Sequence, residues 1–255
     1  MAWDPSVYLQ FADERLRPAL DLLARVPLSQ PRQVIDLGCG AGNVTALLHK
    51  RFPQAEVSGV DGSATMLEKA RAAAPGCRFV EADIGAYAPP VPPDLIYTNA
   101  ALQWLPGHES LFPALFARLA PGGALAVQMP NMTSAPYRAL QVEVASEGPW
   151  AALLDGIKSA LPILSAEQYW DLLAPQAAGI DMWETIYMHA LAGEDAVVRW
   201  ACGTSLRPYL AALPEEMRPA FLAAYRARID AAYPRRPDGV TLLPFRRLFL
   251  IARHK

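Results

Sequence analysis

Asp36-Leu37-Gly38-Cys39-Gly40-Ala41-Gly42-Asn43 sets three glycines at alternate positions, behind an apolar run and ahead of the helix-compatible residues Val44 to Arg51. Glycine in such a loop lets a charged or bulky ligand lie against bare peptide N–H groups at a helix N-terminus. A structural turn has the same composition, so the loop alone decides little. The dinucleotide fingerprint needs glycine three residues beyond Gly40; that position is Asn43, which disfavours a nicotinamide site. Two acids extend the pattern. Asp61, about 20 residues further on at the end of the next apolar run, can accept hydrogen bonds from both hydroxyls of a ribose. Asp83, beyond a third run, can accept the amino group of adenine while Ile84 packs on the ring. Asp36, ahead of the glycines, repels a pyrophosphate but can help hold a cationic amino end. Each carboxylate also has a plain structural reading, as a helix cap, a loop-orienting group or a solvated acid.

The elements that must position these residues follow from apolar runs punctuated by glycine and proline. Gln33 to Leu37, Glu56 to Asp61, Arg78 to Glu81, Asp94 to Asn99 and Ala124 to Met129 read as strands; Val44 to Arg51, Ala64 to Ala73 and His108 to Leu119 read as the helices between them. Strand and helix in alternation predict an α/β fold: a doubly wound, mostly parallel seven-stranded sheet, Rossmann-like, with helices on both faces. The pattern changes after Pro130. Tyr137 to Ser146, Ala166 to Leu173 and a stretch from Asp195 to Tyr233 read as helices, whereas Ile180 to Tyr187 and Arg247 to Ala252 return to strand. The expected organisation is a single domain over 1–255, with a core at about 30–130, 180–190 and 242–255. Segments at about 131–178 and 194–233 form a helical cap insertion over the catalytic edge.

These positions resemble the successive motifs of class I S-adenosylmethionine-dependent methyltransferases. Asp36, Gly38, Gly40 and Gly42 match the loop that holds the methionine part of the donor, Asp61 the acid for ribose, and Asp83 with Ile84 the adenine site. Asn99 falls where the family's fourth strand opens onto the donor. The resemblance implies S-adenosyl-L-methionine as methyl donor and S-adenosyl-L-homocysteine as product. Segments across nearly the whole chain are similar to carboxyl-methylating members acting on a small tricarboxylate: Trp3 to Leu9 with Arg15 to Pro18, Asn99 to Pro106, Val127 to Pro130, Leu206 to Pro208, and Arg247 to Phe249. Methyl-ester formation on a free carboxylate is what this implies. Another carboxylate, such as a malonyl group on a carrier protein, stays open, as does a protein that binds the donor without catalysis.

A carboxylate is already ionised at pH 7, so the reaction needs alignment and dryness rather than a general base. A trianionic acceptor leaving water must be charge-compensated, and arginine does this through paired hydrogen bonds. Arg207 is the first candidate, then Arg247 and Arg246; Tyr8 and Trp104 are candidates to close over and position the reacting atoms, or are simply packed aromatics. No metal is expected. With a net charge of −2 the chain lacks the basic footprint of a nucleic-acid binder. Three scattered cysteines and the absence of a long apolar run predict a cytoplasmic protein that does not enter membranes, and a monomer is expected.

Overall fold

A computed structural model describes residues 12–157 and 163–255, with side chains from Leu16 onward. The alternating runs form, in chain order, α1 (Ala12–Arg25), β1 (Gln33–Leu37), α2 (Asn43–Arg51), β2 (Glu56–Asp61), α3 (Ala64–Ala73), β3 (Arg78–Glu81), β4 (Leu95–Asn99), α4 (His108–Phe116) and β5 (Ala124–Pro130). There follow α5 (Pro136–Ser146), α6 (Ala151–Leu154), α7 (Ala166–Leu173), β6 (Ala177–Ala192), α8 (Ala196–Cys202), α9 (Arg207–Ala212), α10 (Arg218–Ala232) and β7 (Val240–His254). The strands form one sheet in the order β3-β2-β1-β4-β5-β7-β6. β1 pairs in parallel with both β2 and β4, so the strand order reverses between β1 and β4. Such a switch point opens a crevice at the carboxyl ends of the strands, where ligands bind in open α/β sheets. β7 runs antiparallel to β5, and its residues Arg247 to Phe249 therefore lie beside Gln128 to Pro130 at that same carboxyl edge.

The described chain divides into two units, one holding 15–130, 163–185 and 247–255, the other 131–157 and 186–246. In the first, one sheet face is built from Ile35, Leu37, Ile96, Leu125, Val127 and Leu250. It is buried with Phe112 and Phe116 of α4 and Tyr169 and Leu173 of α7. Here the structure corrects the expected cap: α7 lies within 131–178 but packs on α4, the Phe112 and Tyr169 ring centroids 4.4 Å apart. Proline and glycine show where helices break, not what they pack against. Inside this core His108 Nε2 lies 2.9 Å from the Leu102 carbonyl and Nδ1 2.5 Å from the Tyr169 hydroxyl. The carbonyl can only accept, which assigns the proton to Nε2 and makes Tyr169 the donor to Nδ1. Tyr169 also accepts from the Leu164 N–H at 3.3 Å. Tyr169→Phe leaves Nδ1 as a buried acceptor without a donor, and it should destabilise by about 1–3 kcal/mol. Thermal unfolding should show a midpoint lower by roughly 5 °C; an unchanged midpoint refutes this account of the core.

In the second unit α5, α8, α9 and α10 enclose Tyr137, Trp200, Tyr209, Phe221 and Tyr225. The outer parts of β6 and β7 contribute Leu191, Leu243 and Phe245 to this core, while their alternate residues Ile186, Met188 and Leu242 are exposed. That period-two pattern is why both strands run further than the sequence runs suggest. His189 is buried between the Trp200 and Phe245 rings, at centroid distances of 5.1 and 5.3 Å.

Candidate active site

The glycine loop follows β1 and is tied to the end of β2: the Gly38 and Cys39 N–H groups both donate to the Val60 carbonyl, at 2.8 and 3.0 Å. Two of its glycines are forced by close approach as well as by positive φ. A Cβ on Gly38 would stand 2.3 Å from Ala101 Cβ, and one on Gly42 would stand 2.8 Å from Ala70 Cα. Gly40 differs, since a Cβ there meets nothing within 4 Å. The backbone at Gly40 thus fronts open space. Its N–H donates to Asp61 Oδ2 at 2.9 Å, and the Ser63 N–H donates to Oδ1 at 2.9 Å. Asp61 is therefore held by both oxygens, with lone pairs left for further donors. Ile84 closes on the same loop, its Cδ1 lying 3.6 Å from where a Gly38 Cβ would be. Asp83 is exposed and is fixed by the Gly85 N–H at 2.8 Å.

Asp36 stands apart from these groups. It is 1 % exposed, and Thr45 of α2 donates to its Oδ2 at 2.6 Å. Burial raises its pKa from 3.8 to about 7, against the opposing effect of the Thr45 hydrogen bond, and the nearby Asp61 charge raises it further. Its hydrogen bond to Thr45 joins β1 to α2.

At the crevice, Asn99 ends β4 in register with Gln128 of β5. Asn99 Oδ1 is buried and has no hydrogen-bond partner among the described residues. The chain then turns through Ala100 at φ 54°, a left-handed conformation unusual for a residue with a side chain, stabilised as Gln103 Nε2 donates to the Ala100 carbonyl at 2.6 Å. Trp104, on the short turn Leu102–Trp104, is 63 % exposed.

The three candidate arginines separate. Arg247 is 4 % exposed on β7, and its Nη1 donates to Gln128 Oε1 at 3.3 Å. Arg207, the first choice from sequence, is instead exposed at the start of α9. Arg246 is exposed and lines a cavity of about 520 Å³ in the helical unit with Tyr233 and Arg236. Strand alternation sends the neighbours Arg246 and Arg247 to opposite faces. Tyr8 lies outside the described residues, as does the side chain of Arg15. Gln128 was given no role of its own from sequence; its signals are its place in the resemblance segment Val127 to Pro130 and an amide within the otherwise apolar strand Ala124–Pro130.

Comparison with known proteins bears on these features. Residues 34–123 match the methyltransferase domain family model. Along 254 residues, 98% of each chain, the sequence is 53% identical to a trans-aconitate 2-methyltransferase of Paracidovorax citrulli; a protein of that name from Azoarcus sp. is likewise 53% identical, over 250 residues and 98% of each chain. The chain belongs to the trans-aconitate 2-methyltransferase family. Members of this family are S-adenosyl-L-methionine-dependent methyltransferases, and the chain is an enzyme of that type. The fold agrees: the YcgJ protein of Bacillus subtilis superposes with a TM-score of 0.62 at 14% identity, covering 94% of this chain and 99% of its own. An S-adenosylmethionine-dependent methyltransferase from Mesorhizobium loti superposes at 0.52 and 22% identity, covering 92% and 96%. The open backbone at Gly40, the pre-oriented Asp61 and the unpartnered Asn99 Oδ1 fit the methyl donor of a trans-aconitate 2-methyltransferase. Among the described residues, no helix is long and apolar enough to cross a membrane, and no cluster of His, Cys, Asp or Glu could hold a metal ion.

Proposed function

We propose that the enzyme methylates one carboxylate of trans-aconitate, yielding its monomethyl ester and S-adenosyl-L-homocysteine. The observation that carries this reading is the nearly buried Arg247 of β7, beside the carboxyl end of β5, which separates it from Asn99 of β4. A guanidinium in that place compensates an anion drawn out of water. When bound, the donor supplies an electrophilic methyl carbon on a sulfonium sulfur. The residues here then have to bind, orient and exclude water.

In this reading Gly38, Gly40 and Gly42 give the donor access to the backbone at the start of α2, Asp61 accepts from the ribose hydroxyls, Asp83 and Ile84 receive adenine, and Asn99 Oδ1 accepts from the donor's ammonium. Asp36 acts from behind the loop. Arg247 holds the acceptor, with Arg207 and Arg246 as the further candidates for its charge, and Trp104, with Tyr8, shields the reacting atoms. The reading is of a cytoplasmic enzyme, consistent with Cys39, Cys77 and Cys202 all being free, and a small-molecule acceptor calls for no second chain.

The test is methyl transfer from radiolabelled S-adenosyl-L-methionine to trans-aconitate, cis-aconitate, citrate, isocitrate and a malonylated carrier protein. Dominant labelling of trans-aconitate supports the reading; labelling of the carrier alone replaces it. For the donor side, Asp61→Ala should weaken donor affinity about 100-fold, since hydrogen bonds to a charged group contribute about 1.5–3 kcal/mol each. Titration calorimetry showing parental affinity removes Asp61 from the site.

A further inference from the structure

Gln128 is fully buried, on a strand whose other residues are apolar. Its amide orientation is decided by its partner: Arg247 can only donate, so the atom 3.3 Å from Nη1 is the oxygen. The NH₂ end therefore points elsewhere, and Nε2 has no hydrogen-bond partner among the described residues. A buried donor without an acceptor is unfavourable and is retained where something else pairs it. Register puts that donor at the candidate site. Asn99 pairs with Gln128, Phe249 pairs with Gln128 and Arg247 with Pro130, so all of these side chains belong to one face of the sheet at its carboxyl edge. Phe249 is also stacked on Trp183 of β6, with centroids 4.8 Å apart and planes 9° apart.

We propose that Gln128 and Arg247 form a clamp for an acceptor carboxylate that is not methylated: Gln128 Oε1 holds the guanidinium, and Nε2 donates to a carboxylate oxygen beside it. The clamp binds the spectator group because hydrogen bonds from a cation withdraw charge from a carboxylate and would blunt the oxygen that attacks. It makes Gln128 a specificity residue for polycarboxylates. This rests on the reading of trans-aconitate as acceptor.

The experiment compares the parent with Gln128→Leu, Gln128→Glu, Arg247→Ala and the Gln128→Leu/Arg247→Ala double variant, measuring KM and kcat for trans-aconitate and donor affinity by calorimetry. Gln128→Leu should raise KM at least 10-fold with donor affinity within two-fold of the parent. Gln128→Glu, which places an anion against the acceptor and occupies Arg247, should lose about 100-fold in kcat/KM. The double variant should lose less than the product of the two single losses, because Arg247 orients the Gln128 amide. A parental KM in Gln128→Leu overturns the clamp, as does an equal loss of donor and acceptor binding, which marks a merely structural amide. If the parent itself labels no tricarboxylate, the underlying reading falls and the clamp with it.

Discussion

Arg247→Ala is expected to lower kcat/KM for trans-aconitate about 1000-fold, equivalent to about 4 kcal/mol, because truncating one partner of a buried, hydrogen-bonded charge pair typically costs 2–5 kcal/mol. The residue is 4 % exposed and bonded to Gln128, so water cannot readily replace it. Donor affinity should stay within about three-fold of the parent, since the donor-loop contacts of Gly40, Asp61 and Ser63 involve no residue of β7. Arg247→Lys keeps the charge but not the paired geometry and should recover only part of the loss. Steady-state kinetics together with donor calorimetry separate the outcomes. A loss confined to kcat with unchanged KM would falsify an anchoring role.

The second large effect is one of pH. The Asp36 carboxyl has a pKa of about 7 in the fold, raised by burial, against 3.8 for the exposed group. Below about pH 4 the group is protonated in both states and the fold bears no cost. Between about pH 4 and pH 7 only the unfolded chain releases its proton, so stability falls as pH rises, and above pH 7 the deficit levels off at about 4 kcal/mol. Asp36→Asn cannot ionise and should escape this loss. Relative to the parent, its unfolding midpoint should therefore gain roughly 10 °C between pH 4.5 and pH 8, measured without donor. A pH-independent difference means that Asp36 is not protonated in the fold near neutrality.

The geometry of the glycine loop and of Asp61 was legible because its constraints are local. Gly38 and Gly42 are required by close approach to Ala101 and Ala70, and Asp61 falls at the end of the next strand, so spacing along the chain carries the information. The proposed acceptor side joins β5 to β7 across more than a hundred residues, and nothing in the spacing of Gln128 and Arg247 announces their contact. Motif similarity brings out Arg207 and Arg247 alike, but burial, which distinguishes them, is a property of the packed sheet. The strands β6 and β7 outrun their expected lengths for a related reason. Alternation in β6 continues through Met188 and Ala190 to Ala192, where small residues on the exposed face give little strand signal.

The separation in sequence between the two sides has a kinetic consequence. The Gly40–Asp61 bond closes a span of 21 residues, whereas the Gln128–Arg247 bond closes one of 119. Loop-closure entropy grows with the logarithm of that span, which makes the longer closure costlier by about 1.5 kcal/mol before any contact compensates. The order expected in refolding is therefore the Gly40–Asp61 contact first and the Gln128–Arg247 contact later.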